Sequence, residues 1–117
     1  MKYILAHDLG TSGNKATLFS DEGKMITSEV FRYDCHYFNT NWAEQDPDAI
    51  LAAACDGIHE LLMQVPPVRI ACLGLSGTMN GCIPVAADGR ALHPNIIHSD
   101  SRTGAEVEKI GRIINPK

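Results

Sequence analysis

Asp8-Leu9-Gly10-Thr11-Ser12-Gly13-Asn14-Lys15 is a small, polar stretch set between two apolar runs, Tyr3-Ile4-Leu5-Ala6 before it and Ala16-Thr17-Leu18-Phe19 after it. Strand-forming residues on either side of a glycine-containing stretch predict a β-hairpin with that stretch as its turn. The turn has a chemistry. With no Cβ at Gly10 or Gly13 an anion can reach backbone N–H groups, while Thr11, Ser12 and Lys15 add hydroxyl and ammonium donors. Asp8, ending the first strand, would stand beside that anion. A Mg²⁺ ion taking oxygen from both is the usual way to reconcile two neighbouring negative groups. The plainer alternative is a good turn next to a strand-end carboxylate, and a short motif alone does not separate the two.

Composition limits what this stretch can belong to. The chain has 117 residues, enough for one modest core, and 44% hydrophobic with 21% charged residues is ordinary globular usage. The net charge is −4, and the ten Lys and Arg are scattered singly, so no basic stripe is offered to a nucleic acid. No apolar run reaches membrane-spanning length, and Met1-Lys2-Tyr3-Ile4 opens a strand rather than a signal peptide. Cys35, Cys55, Cys72 and Cys82 form no C-x-x-C pair and read as free, buried thiols in a reducing cytoplasm. His7, His36, His59, His93 and His98 lack metal-ligand spacing.

Along the chain, Asp21-Glu22-Gly23-Lys24 predicts a turn and Met25 to Tyr33 a third strand, completing an antiparallel three-strand meander. Asp34 to Gln45 reads as an aromatic and polar loop, in which Tyr37, Phe38 and Trp42 are better explained by packing than by ligand stacking. Asp46 followed by Pro47 predicts a helix start, and Ile50, Leu51, Ala54, Ile58, Leu61, Leu62 and Val65 form its apolar stripe. After Pro66-Pro67, the run Arg69 to Ser76 reads as a strand buried on both faces, joined to the first by a right-handed crossover. Its carboxyl end carries Ser76-Gly77-Thr78-Met79-Asn80-Gly81, at the sheet edge where α/β proteins bind ligands. A short strand at Cys82 to Val85, a turn at Asp88-Gly89 and an extended piece from Pro94 to His98 follow. Thr103-Gly104-Ala105-Glu106 has capping-box spacing for a last helix with Val107, Ile110, Ile113 and Ile114 as inner positions, stopped at Asn115-Pro116.

Asp-x-Gly-Thr-Ser-x-x-Lys near the amino terminus resembles the first phosphate motif of the actin-like ATPase superfamily. Trp42-Ala43-Glu44-Gln45-Asp46-Pro47, Gly77-Thr78-Met79-Asn80-Gly81 and His98-Ser99-Asp100-Ser101-Arg102-Thr103 follow in the order of the amino-terminal signatures of FGGY carbohydrate kinases, with a xylulokinase flavour. The resemblance implies an α/β, ribonuclease-H-like mixed sheet with flanking helices, and a sugar and MgATP as ligands. It implies Mg²⁺ at Asp8, ATP phosphates at Gly10, Thr11, Ser12 and Lys15, and sugar contacts from Met79, Asn80, His98, Asp100 and Arg102. Asn80 and His98 replace the family's usual histidine and tryptophan, so xylulose does not follow from the likeness. For Asp100 and Arg102, a local ion pair is the competing reading.

The same resemblance implies that residues 1–117 are a partial domain lacking the second, ATP-binding domain and its catalytic base. The expectation is a cytoplasmic chain that alone is inactive as a kinase, with no nucleic-acid or membrane partner and with apolar surface that could drive homo-oligomers. Two readings compete with this one: a two-metal nuclease, disfavoured because the strand ending at Ser76 delivers no acid, and a non-catalytic sugar- or phosphate-binding or self-associating remnant.

Overall fold

A computed structural model of the chain describes residues 1–115. Its main sheet has four strands in the order β3-β2-β1-β6. β1 (Tyr3–Leu9) runs antiparallel to β2 (Gly13–Ser20), which runs antiparallel to β3 (Met25–Arg32), while β6 (Ile70–Gly77) lies parallel to β1. The helix α1 (Pro47–Leu62) makes the connection that a parallel pair requires and packs on β1, β2 and β3.

The core lies between α1 and one face of this sheet. Leu5, Ala16, Leu18, Leu61 and Val65 are buried together, with Tyr3, Phe31, Ile58, Leu62 and Ile70 packed around them. α1 begins as the sequence predicts: Asp46 caps it, accepting from Asp48 N at 2.9 Å, and Pro47 occupies the first turn. Its buried line, however, is Ala53, Gly57 and Leu61, and Leu51 is exposed. Small residues let the helix axis approach the sheet closely, a requirement that an apolar-stripe reading cannot detect because it scores bulk. At the point of approach Asn14, fully buried, donates from Nδ2 to the Ala53 carbonyl at 2.9 Å and lies 3.0 Å from His7 Nδ1. Asn14 thus latches helix to sheet instead of serving the turn.

Several expectations need correction. Asp34 to Gln45 is not a loop: β4 (Cys35–Phe38) and β5 (Trp42–Gln45) form an antiparallel hairpin, and β7 (Asn95–Ile96) pairs with β5 to complete a second, three-stranded sheet. The turn signal was Asn39-Thr40, both in the left-handed region at φ 48 and 70. Cys82 to Val85 is not a strand but two isolated bridges, to Ile96 and Ala91.

β6 is not buried on both faces. It lies at the sheet edge, and Leu73 and Leu75 are 42% and 64% exposed. α2 (Gly104–Ile114) starts after Thr103 as expected, but no side-chain cap bond forms, and Val107, Ile110, Ile113 and Ile114 are exposed rather than inner. Cys55, Cys72 and Cys82 are free but exposed, and Cys35 is half-buried. The stop at Pro116 lies outside the described residues. No helix among those residues is long and apolar enough to cross a membrane.

Candidate functional site: a glycine turn facing an acceptor loop

The turn between β1 and β2 is closed by Gly10 N donating to Gly13 O at 2.9 Å and to Asp8 O at 3.1 Å. Its carbonyls are gripped from outside the hairpin. Tyr33 Oη donates to Gly10 O at 2.5 Å, and Gln45 Nε2 donates to Thr11 O at 2.7 Å. Gln45 is held in turn by Asn95, whose Nδ2 donates to Gln45 Oε1 at 3.1 Å. These three side chains are almost wholly buried.

Gly13 has a role that the sequence reading did not assign. A Cβ there would stand 2.7 Å from Phe31 O and 3.1 Å from Arg32 Cα, so the neighbouring strand, not a ligand, requires the glycine. Gly10 is different: its nearest neighbour would be Gly13 O at 3.4 Å, and the space above it is open.

Asp8 is exposed at the end of β1, on the face opposite His7, with Lys15 and Ser76 as its register neighbours on β2 and β6. Burial first, and then the Asp8 charge, push the Tyr33 hydroxyl above its usual range, so it stays a protonated donor to Gly10. One accessible carboxylate beside a glycine turn fits Mg²⁺, which keeps several waters and takes oxygen from one or two carboxylates plus a ligand's phosphates. Among the described residues no group of three or more His, Cys, Asp or Glu is placed to hold a metal by protein ligands alone.

A cleft of about 400 Å³ opens between the turn and the end of β6. Gly10 lines it from the turn, Thr78, Asn80 and Gly81 line it from the loop after β6, and Tyr33, Gln45 and Asn95 are among its remaining walls. Asn80 is in the left-handed region at φ 60, a conformation asparagine tolerates better than most residues. Thr11 and Ser12 line a second hollow of about 280 Å³ together with Arg32, Asp34 and Tyr37. Met79 is 76% exposed and lines neither hollow.

His98, Asp100 and Arg102 are not among the residues lining either hollow. His98 is exposed. Asp100 accepts from Ala43 N at 2.6 Å and pairs with Arg102, whose guanidinium also reaches Glu44 at 2.8 Å and stacks 3.8 Å over the Trp42 ring. Phe38 meets Trp42 edge-on at 5.4 Å. These contacts tie the loop after β7 to β5.

The Arg102 side chain, helped by backbone N–H groups of Ala43 and Arg102, holds the Asp100 carboxyl well below the usual carboxylate range. In the unfolded chain Asp100 returns to an ordinary value near 3.8. A depressed folded value means that the stabilisation is complete above about pH 5 and is lost progressively as pH falls through the unfolded and then the folded value. Asp100→Asn is therefore expected to lower the melting temperature at neutral pH, with the gap to the parent chain closing towards about pH 2. Thermal melts across that range check it.

Sequence reasoning gave no role to Tyr33 or Asn95 and met Gln45 only within the Trp42-to-Pro47 signature. Only the buried positions of polar residues distinguish them, and those depend on the second sheet.

Comparison with known proteins fits this arrangement. The family model described as "FGGY family of carbohydrate kinases, N-terminal domain" matches residues 3–117. A glycerol kinase from Nostoc sp. is 35% identical over 104 residues, covering 86% of this chain and 21% of the relative. A gluconokinase from Bacillus subtilis is 30% identical over 113 residues, covering 97% of this chain and 22% of the relative. The crystal structure of a ligand-bound xylulose kinase from Lactobacillus acidophilus superposes with a TM-score of 0.88 at 26% identity, covering 97% of this chain and 23% of that one. The chain thus spans between a fifth and a quarter of the lengths of these relatives. With that model matched over residues 3–117, the chain belongs to the FGGY family of carbohydrate kinases, within the family's amino-terminal domain.

Proposed function

We propose that these residues form the sugar- and phosphate-binding part of an ATP-dependent carbohydrate kinase, within a ribonuclease-H-like lobe whose first three strands are the meander. The observation that carries this reading is the cleft in which Gly10 of the phosphate turn and Asn80 of the acceptor loop face one another. Phosphoryl transfer needs the acceptor hydroxyl and the transferred phosphoryl group to be placed together, and its rate gain comes mainly from positioning and charge neutralisation.

In this reading Gly10, Thr11, Ser12 and Lys15 receive the phosphates, and Asp8 would hold a Mg²⁺ ion, which would neutralise phosphate charge. Met79 and Asn80 border the sugar, whereas His98, Asp100 and Arg102 shape the loop beside it. The substrate is a small polyhydroxy compound. Relatives named for glycerol, gluconate and xylulose are all similar to this chain, which argues against assigning one sugar by likeness.

The 117 residues by themselves are proposed to be inactive as a kinase, because no acid lines the cleft to deprotonate the acceptor. Incubating the chain with ATP, Mg²⁺ and a panel of glycerol, gluconate and pentuloses should yield ADP no faster than a blank. Turnover at ordinary kinase rates, on the order of 1–100 s⁻¹, would overturn this.

A second reading, self-association, is favoured by one observation. The outer edge of β6 and the aliphatic stripe of α2 are both left bare. Gel filtration at two widely separated concentrations distinguishes a monomer from a concentration-dependent oligomer.

A further inference from the structure

We infer that Gln45, locked by Asn95, and Tyr33 are positioning residues that aim the backbone amides of the phosphate turn at an anion. The inference rests on the proposed function and extends it to residues outside the Asp8-to-Lys15 stretch. Its basis is peptide geometry. No cis peptide bond occurs in the described residues, and in a trans peptide the carbonyl of one residue and the N–H of the next point in opposite directions. Tyr33 Oη draws the Gly10 carbonyl towards itself, so the Thr11 N–H is turned the other way. Gln45 Nε2 draws the Thr11 carbonyl, so the Ser12 N–H is likewise turned outward. Two successive amides are thereby fixed before any ligand arrives, which is the arrangement that binds anions without a reorganisation cost.

Asn95 supplies an independent sign that this orientation is imposed. The Gln45 carboxamide could bind Thr11 O only with its nitrogen, and Asn95 Nδ2 on Oε1 enforces that choice. Asn95 is itself left incompletely paired. Its Oδ1 is buried with no hydrogen-bond partner, beneath Gly81, where a Cβ would stand 2.9 Å from it. A buried unpaired acceptor is costly, and it persists where surrounding structure overrides it. Because Gly81 follows Asn80, Asn95 also lies against the loop after β6.

The test uses the full ¹⁵N-labelled chain and inorganic pyrophosphate with Mg²⁺, following the Thr11 and Ser12 amide resonances. The parent chain should show saturable shifts at both amides. Gln45→Met, which keeps the length but donates nothing, should raise the apparent Kd about tenfold, and Tyr33→Phe, which removes one hydroxyl, should raise it several-fold while leaving the fold intact. Should Gln45→Met fail to fold, Tyr33→Phe decides. Equal affinity in parent and folded variants would overturn the inference and leave the proposed function standing. No pyrophosphate response at Thr11 or Ser12 in the parent chain would overturn the phosphate-site reading itself, and the inference with it.

Discussion

Gly57→Ala is expected to lower the melting temperature by about 10–20 °C, although alanine is the better helix former. The added Cβ would stand 2.8 Å from Asn14 Nδ2 and 2.9 Å from Ala16 Cβ, with His7 Cε1 at 3.3 Å. All three neighbours are nearly or fully buried, so none can swing aside. α1 must back away, which strains the packing and breaks the Asn14-to-Ala53 bond, leaving a buried donor unpaired. Overpacking costs about 1–3 kcal/mol and the lost bond about as much again, against about 1 kcal/mol gained in propensity. The net is a loss of about 3 kcal/mol, a large share of the stability of a chain this small. Gly111→Ala is the control: a Cβ there meets nothing within 4 Å, so the same substitution should raise helicity in α2. Circular dichroism melts of the two variants measure both signs. An unchanged melting temperature for Gly57→Ala would mean that the helix sits farther from the sheet than described.

Gly13→Ala should be nearly as damaging, by about 2–3 kcal/mol, and should abolish pyrophosphate binding as well. Here the obstacle is backbone, with Phe31 O at 2.7 Å and Arg32 Cα at 3.1 Å, so only a shift of β3 against β2 could accommodate the methyl group. That shift would disturb the Gly13–Arg32 register and the Gly10-to-Gly13 bond that closes the turn. Gly10→Ala separates stability from binding. Its Cβ meets only Gly13 O, at 3.4 Å, so the melting temperature should hardly move while the methyl group crowds the anion's approach. Denaturant melts paired with pyrophosphate titrations of the two variants check this contrast. Equal stability losses at Gly10 and Gly13 would refute it.

The part of the site readable in the sequence was the part built from neighbours along the chain. The hairpin from Asp8 to Lys15 announces itself because a turn is a local solution to a local problem: small polar residues between strand formers. The helix start at Asp46-Pro47 is legible for the same reason. Asp100 and Arg102 show the limit of a motif. Spacing brings an acid and a base close, but the structure gives both to a network with Glu44, Ala43 and Trp42. Ion-pair partners and ligand contacts look identical in a sequence.

The bare edge of β6 carries a related lesson. Leu73, Leu75 and the stripe of α2 have the composition of a core yet are uncovered here, because burial depends on what lies across from a residue.

From the order of its residues alone the chain reveals the turn between β1 and β2, the start of α1 and its family membership, since each rests on short-range backbone preferences or on motif order. Tertiary structure alone decided that Gly13 and Gly57 are required by close approach, that Tyr33, Gln45 and Asn95 hold the turn between β1 and β2, and that Gly10 faces Asn80 across one cleft. The physical reason is distance. Those relations join residues separated by tens of positions, and they exist only once α1 and the second sheet have closed on the first.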